Sequence, residues 1–166
     1  MNKKLSNEKI CEIAERIDIG ENCFINADTS ETIFLLNNEA LSNYGISWDN
    51  EEDEDGPDDN WPKWQQEMYV EIKADMAKVD SWQHVIRIKR PSSNEMFRFM
   101  EHFVDEVIPE GVLKENFWKA LSRSHPFRNF NAIIHNCKYR EDWFVFKHES
   151  LVDYVREAVG DFGEEE

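Results

Sequence analysis

The sequence is poor in glycine and has no long apolar run. Six of its 166 residues are glycine, which leaves little material for a glycine-rich phosphate loop, and neither GxSxG nor a dinucleotide-binding fingerprint occurs. No apolar run approaches the ~18 residues of a membrane span. The N-terminal MNKKLSNEKI lacks the apolar core of a secretory signal. We therefore expect no membrane association and none of these familiar enzyme sites.

Residues that bind metals or form disulfides are also few and scattered. The three cysteines (Cys11, Cys23 and Cys137) form no CxxC pair, so we expect no disulfides and a protein of the reducing cytoplasm. Each cysteine is then expected to be a small buried side chain. The five histidines show neither HxxxH nor HxH spacing. The sequence therefore predicts no metal site, no cofactor and no catalytic residue.

Basic residues are outnumbered, with 19 Lys and Arg against 35 Asp and Glu and a net charge of -16. Residues 1–81 hold 20 acidic and 7 basic groups, whereas residues 82–140 hold 10 basic and 6 acidic groups. The negative excess disfavours nucleic acid and anionic membranes as partners, because both repel a polyanion. The length and the 13% aromatic content are typical of a folded chain, and we expect residues 1–166 to form a single domain.

Eight acidic residues lie together in residues 49–60, DNEEDEDGPDDN, which contain no basic residue. Like charges at this density repel one another and extend the chain, so we expect a mobile acidic loop. The loop matches the first, third, fifth, sixth and ninth positions of a calcium-binding EF-hand, but Pro62 occupies the twelfth and lacks the bidentate carboxylate. We therefore expect a solvated loop rather than a specific calcium site.

The first half of the chain shows both helical and strand patterns. Ser6 is a suitable N-cap for a helix over 6–19. Alternating residues predict a β-hairpin at 22–36 and a third strand at 82–90. Between them, a helical stripe places several large side chains on one face of a helix over 61–79: Trp61, Trp64, Met68, Ile72 and Val79.

The second half is predicted to be helical. Ser92 and Glu95 form a capping-box pattern at the start of its first helix. Apolar spacing then predicts short helices over 112–121 and from Pro126, and a last helix over 151–159, whereas WFVF at 143–146 fits either a strand or a helix.

These elements predict an α+β fold. A small antiparallel sheet, made of the hairpin 22–36 and the strand 82–90, has helices on one face and is followed by a helical C-terminal half.

Five segments resemble segments of a known family. They are the hairpin CFINADTSETIFL, the strand HVIRIKRPSS, and the stretches RFMEHFVDEV, KALSRSHPFRNFNAII and REDWFVFKHESL. Together they resemble a bacterial family of unassigned activity, uncharacterised protein family zero-one-five-eight. Its hairpin usually carries a Thr-Gly turn, whereas Ser30 stands in place of that glycine here. The resemblance implies no reaction, ligand or catalytic residue, because none is assigned to the family.

Residues 123–148 interleave basic and aromatic side chains. Basic groups beside aromatic rings bind a phosphate or a carboxylate, or stack a nucleic-acid base on the ring. An ordinary pair of amphipathic helices, with its aromatic rings in the core and its basic side chains in water, gives the same pattern. The candidate binding residues are Arg123, His125, Arg128, Lys138, Arg140 and Trp143.

Phe127 and Phe130 are three residues apart in the predicted helix after Pro126. We expect both rings to face the core while Arg128 faces solvent.

We interpret the chain as a non-enzymatic cytoplasmic interaction or regulatory module, whose basic-aromatic face contacts an unknown protein partner. Two alternatives stay open: an enzyme whose site the spacing does not reveal, and a nucleic-acid-associated protein, either a binder or an acidic DNA mimic. An enzyme predicts a deep pocket with convergent polar groups, a DNA mimic predicts an ordered array of carboxylates, and an interaction module predicts an exposed apolar patch.

Overall fold

A computed structural model describes residues 5–46 and 57–160. These residues form the predicted α+β fold. In chain order the elements are α1 (Asn7–Asp18), β1 (Glu21–Asn26), β2 (Thr32–Leu36), α2 (Asn38–Ser42), α3 (Lys63–Asp80), β3 (Val85–Ile88), α4 (Ser93–Val107), α5 (Val112–Ser122), α6 (Pro126–Ile134) and α7 (Arg140–Val159).

The chain divides into two compact units. The first unit comprises residues 1–90 and 155–166, and the second unit comprises residues 91–154. Organisation as one domain stays a prediction, and so does the mobility of the acidic loop, of which residues 49–56 lie outside the described residues. Within the described ranges, no helix is long and apolar enough to cross a membrane.

The sheet of the first unit has the strand order β2-β1-β3, and both pairings are antiparallel. β1 and β2 form the predicted hairpin, in which Cys23 lies opposite Phe34. β3 pairs with the other edge of β1 and places Ile88 opposite Cys23. The hairpin and the third strand are therefore confirmed, although β3 is shorter than the predicted 82–90 segment.

Helices pack on both faces of this sheet, so the prediction of helices on one face is wrong. On one face, Arg16 of α1 lies over the Phe34 ring, with 4.3 Å between the guanidinium carbon and the ring centroid. On the other face, Val79 of α3 packs with Ile33 and Leu35 of β2. Successive side chains of a strand point to opposite faces. Because both faces of this sheet carry apolar side chains, each face needs a helix to cover it.

The predicted limits of α1 are confirmed. Ser6 is the N-cap, and its hydroxyl accepts a hydrogen bond from the backbone N–H of Lys9 (3.2 Å). Gly20 follows the helix with φ of 99°, which glycine adopts without the strain that a Cβ would cause.

α3 buries Ile72 and Val79 of the predicted stripe but leaves Trp64 exposed. Tyr69, Ile72 and Val79 are buried, whereas Trp64 is 53% exposed and lies edge-on to Tyr44. Eight residues separate Trp64 from Ile72, and at 3.6 residues per turn this spacing rotates Trp64 by about 80° away from the buried stripe. The placement of Trp64 on the buried face was wrong for this reason.

The second unit is helical, as predicted. α4 begins with a capping box, because the Ser92 side chain accepts from the Glu95 N–H (3.3 Å) and the Glu95 carboxylate accepts from the Ser92 N–H (2.8 Å). Residues 143–146 are helical and lie within α7, whose residues from Val155 onward belong to the first unit.

An aromatic cluster forms the core of the second unit. The Phe103 ring lies 6.2 Å from Phe130 and 5.2 Å from Trp143, measured between ring centroids. Phe130 also lies 5.3 Å from Phe117 and 4.9 Å from Trp143. Each such pair contributes about 0.5–1.5 kcal/mol beyond the burial of its area. The cluster therefore joins α4, α5, α6 and the first turns of α7.

The turn between β1 and β2 holds Ser30 in a left-handed backbone conformation, with φ of 65°. Asn26 organises this turn, because its Oδ1 accepts hydrogen bonds from the N–H groups of Asp28 (2.9 Å) and Thr29 (3.3 Å). The left-handed region brings Cβ close to the next carbonyl oxygen and disfavours every residue except glycine. Ser30 is therefore strained.

We expect Ser30→Gly to be more stable than Ser30→Ala by about 1 kcal/mol, because both remove the hydroxyl but only alanine keeps a Cβ at positive φ. Urea unfolding followed by circular dichroism measures the two free energies of unfolding. The matched control is Thr29, which precedes Ser30 and has no positive φ; there, Ala should be at least as stable as Gly. Equal stability of the two Ser30 variants would contradict the strain.

Candidate functional site

Five of the six predicted binding residues are exposed. They lie on or beside α6: Arg123 and His125 precede it, Arg128 is in its first turn, Lys138 follows it, and Arg140 begins α7. We call these five residues the α6 basic surface.

Trp143, the sixth predicted residue, is not on this surface. Its side chain is 7% exposed and belongs to the aromatic cluster, where it contacts Phe103 and Phe130. Burial of so large an apolar ring is strongly favourable. Trp143 therefore supports the surface from within the core and offers no contact to a partner.

Phe127 lies at this surface, and the prediction that it faces the core is wrong. Its side chain is 37% exposed, whereas Phe130 is fully buried, as predicted. A side chain on a helix covers the turn that precedes its own Cα. No such turn precedes Phe127, because α6 begins at Pro126. The ring is therefore only partly covered and is available for contact.

The α6 basic surface has cations without acidic partners. Across the part of the chain that the structure describes, no carboxylate lies within 4.0 Å of a charged nitrogen of Arg123, Arg128, Lys138 or Arg140. Residues 116–140 contain five basic residues and no acidic one. The surface therefore has a local positive charge in a chain that is negative overall.

An exposed ring lies beside the last of these cations. Arg140 and Phe144 are one turn apart on α7, with 5.2 Å between the guanidinium carbon and the ring centroid. The Phe144 side chain is 42% exposed. A guanidinium above a ring face is attracted by the ring quadrupole, and its remaining N–H donors still point outward. Arg140 and Phe144 thus form a contact that is both cationic and apolar.

The cations of this surface are spread along α6 and do not converge. Arg123 and Arg128 lie near the N-terminal end of α6, and Lys138 and Arg140 lie beyond its C-terminal end. The nine residues of α6 span about 14 Å. About four or five residues of an extended segment cover the same distance.

Asn129, which the sequence analysis did not single out, fixes the turn that carries Arg123 and His125. Its side-chain amide donates to the carbonyl oxygens of Ala120 (3.2 Å) and Ser124 (2.9 Å). Both amide protons are thereby used to join the end of α5 to α6. The pattern gave no signal for this role, because both acceptors are backbone atoms.

Lys114 is a buried cation that the sequence pattern did not single out. It is 8% exposed, and its Nζ donates to the Asp105 carbonyl oxygen (3.0 Å) and lies 3.1 Å from Glu110 Oε1. A cation near the C-terminal end of α4 stabilises the carbonyl groups that the helix leaves unpaired. Lys114 therefore joins α5 to α4 and does not belong to the exposed cations.

One of the three cysteines is buried, and its thiol is not a nucleophile at neutral pH. Cys23 is fully buried in β1, and burial raises the pKa of its thiol to about 12. The thiolate is the nucleophilic form, so Cys23 stays protonated and unreactive at neutral pH. All three cysteines are free thiols. Within the described residues, no group of three His, Cys, Asp or Glu side chains is placed to hold a metal ion.

Residues 58–161 match the model of the uncharacterised protein family UPF0158. The chain belongs to this family. The match extends from α3 to the end of α7 and confirms the resemblance there, whereas the hairpin at 22–36 lies outside the matched residues. No curated protein and no solved structure matches the chain. UPF0158 has no known function, so membership assigns no role to any residue of the α6 basic surface.

In this UPF0158 protein, Phe130→Ala should lower the free energy of unfolding by about 3–5 kcal/mol, because it leaves a cavity in the aromatic cluster. Phe127→Ala should cost less than about 2 kcal/mol, because that ring is partly exposed already. Urea unfolding of the parent and both variants measures the two losses. Equal losses would return Phe127 to the core and remove it from the surface.

Proposed function

We propose that this protein is a non-enzymatic interaction module that binds an acidic segment of a partner protein on the α6 basic surface. The observation that carries the proposal is the set of exposed cations without a carboxylate partner, in a stretch of 25 residues, 116–140, that lacks acidic residues. Unpaired exposed cations become charge-assisted hydrogen-bond donors once a carboxylate arrives.

The spread of the cations supports an extended peptide segment as the ligand. Arg128 and Lys138 lie at opposite ends of α6, so a bound segment follows the helix and meets one cation group after the other. The exposed rings of Phe127 and Phe144 add apolar contact near each group. Aromatic and arginine side chains carry most of the energy of typical protein interfaces.

The net charge of the chain favours a protein segment over nucleic acid. A nucleic-acid strand carries a charge at every phosphate, so a chain of net charge -16 repels a long strand more than a short segment. A short segment with a few carboxylates is repelled less, and acidic groups beyond a Debye length of about 8 Å are screened. The three free cysteines support the cytoplasm as the compartment in which this binding occurs.

An enzyme is less well supported by this surface. Catalysis requires groups that converge on one reacting atom, and the two cation groups lie near different ends of α6.

The proposal is tested by capture of proteins from an extract of the native cells, with and without nuclease treatment. The immobilised baits are the parent, Arg128→Glu, Lys138→Glu and a matched control, Lys63→Glu. Lys63 is an 89% exposed lysine on α3, so its reversal changes the net charge by the same two units.

A partner that the parent and Lys63→Glu retain, and that Arg128→Glu and Lys138→Glu each lose by about tenfold or more, supports the proposal. Its binding must survive nuclease and weaken as salt is raised. Retention that disappears with nuclease would favour a nucleic-acid-associated protein instead. Equal retention by all four baits would contradict a role for the α6 basic surface.

A further inference from the structure

A groove on the sheet of the first unit shares no residue with the α6 basic surface. Val79 and Met76 of α3 cover the β2 half of one sheet face, where they pack on Ile33 and Leu35. A cavity of about 560 Å³ lies on the same face, lined by Met76 and Val79 of α3 and by Phe24 and Arg87 of the sheet. Its size is within the range of small-molecule binding sites, ~300–1,000 Å³.

Phe24 and Arg87 form the floor of this groove. They are opposite each other in the β1–β3 pairing, with 5.4 Å between the guanidinium carbon and the ring centroid. Arg87 has no carboxylate within 4.0 Å among the described residues. The ring holds the guanidinium in place while its N–H donors stay available, which suits the two-point recognition of an oxyanion.

The lining of the groove is positive although its surroundings are acidic. Residues 1–90 hold 20 acidic and 10 basic groups. The described lining nevertheless includes Arg87, Lys89 and Arg90 against one acidic residue, Asp80. Arg90 also lies 3.9 Å from Asp18. This local reversal of sign indicates an anion as the ligand.

The remaining walls combine side-chain amides with apolar groups. Asn22 and Asn37 line one side, and Leu35 and Met76 line another. The Asn37 Oδ1 already accepts from the Ala40 N–H (2.8 Å) as the N-cap of α2. Amides beside apolar side chains bind a body that has both hydrogen-bonding edges and apolar faces.

We propose that this groove binds a small organic phosphate monoester of about the size of a nucleoside monophosphate. Arg87 contacts the phosphate, and the amide and apolar walls contact the organic body. The groove uses residues other than those of the α6 basic surface. The test of this site therefore does not depend on the test of the proposed function.

Isothermal titration calorimetry on the full chain tests this site with AMP, GMP, CMP and UMP as probes. At least one nucleotide should bind with a dissociation constant below about 1 mM. Adenosine, which lacks the phosphate, and inorganic phosphate, which lacks the body, should each bind at least about tenfold more weakly. Arg87→Gln should weaken nucleotide binding by about tenfold or more, whereas Lys63→Gln, on the exposed face of α3, should leave it unchanged.

If Arg87→Gln folds poorly, backbone amide chemical shifts of the parent protein test the proposal without a variant. A bound nucleotide should move the resonances of Phe24 and Arg87 most. No heat and no shift change with any nucleotide at about 5 mM would overturn the proposal. The proposal would also be overturned if inorganic phosphate bound as tightly as the nucleotides, or if benzoate, a carboxylate with an apolar body, bound more tightly than they do. Shift changes confined to residues outside the groove would overturn it as well.

Discussion

The packing of Phe130 and Trp143 against Phe103 is the constraint from which the surface of the second unit follows. All three rings are buried, and each contacts the other two. Burial of Phe130 fixes the rotation of α6 about its axis, so that Arg128 turns to solvent. Burial of Trp143 fixes α7 in the same way and leaves Arg140 and Phe144 outside. The position of the cations is thus a consequence of the aromatic core.

The uneven distribution of charge leaves two basic regions in an acidic chain. The chain has a net charge of -16, yet residues 116–140 carry no acid and the stretch from Ser81 to Asn94 carries none either. Acidic groups elsewhere repel polyanions, while screening confines their effect to about 8 Å. Each basic region therefore acts on ligands that reach it closely.

Local patterns predicted the elements, and tertiary contacts decided the exceptions. Ser6 and the Ser92–Glu95 box follow from short-range hydrogen bonding, which a sequence displays directly. The exposure of Phe127 depends on where α6 starts, and that of Trp64 on the small drift of each helical turn. The short helix α2 was missed because five residues carry too little periodicity. Trp143 lies among exposed basic residues in the segment 123–148, and only the packing of the folded chain showed that it belongs to the core.

Hydrogen exchange of the α6 amides in the intact chain tests most directly whether the aromatic core holds the cations on an ordered helix. The amides of Phe130 and Ile134 should exchange with the same opening free energy as that of Val104 in α4, because one core holds both helices. Phe130→Ala should lower the protection of all three together. If the α6 amides exchange as fast as in an unfolded peptide while Val104 stays protected, the cations lie on a frayed segment and the account is contradicted.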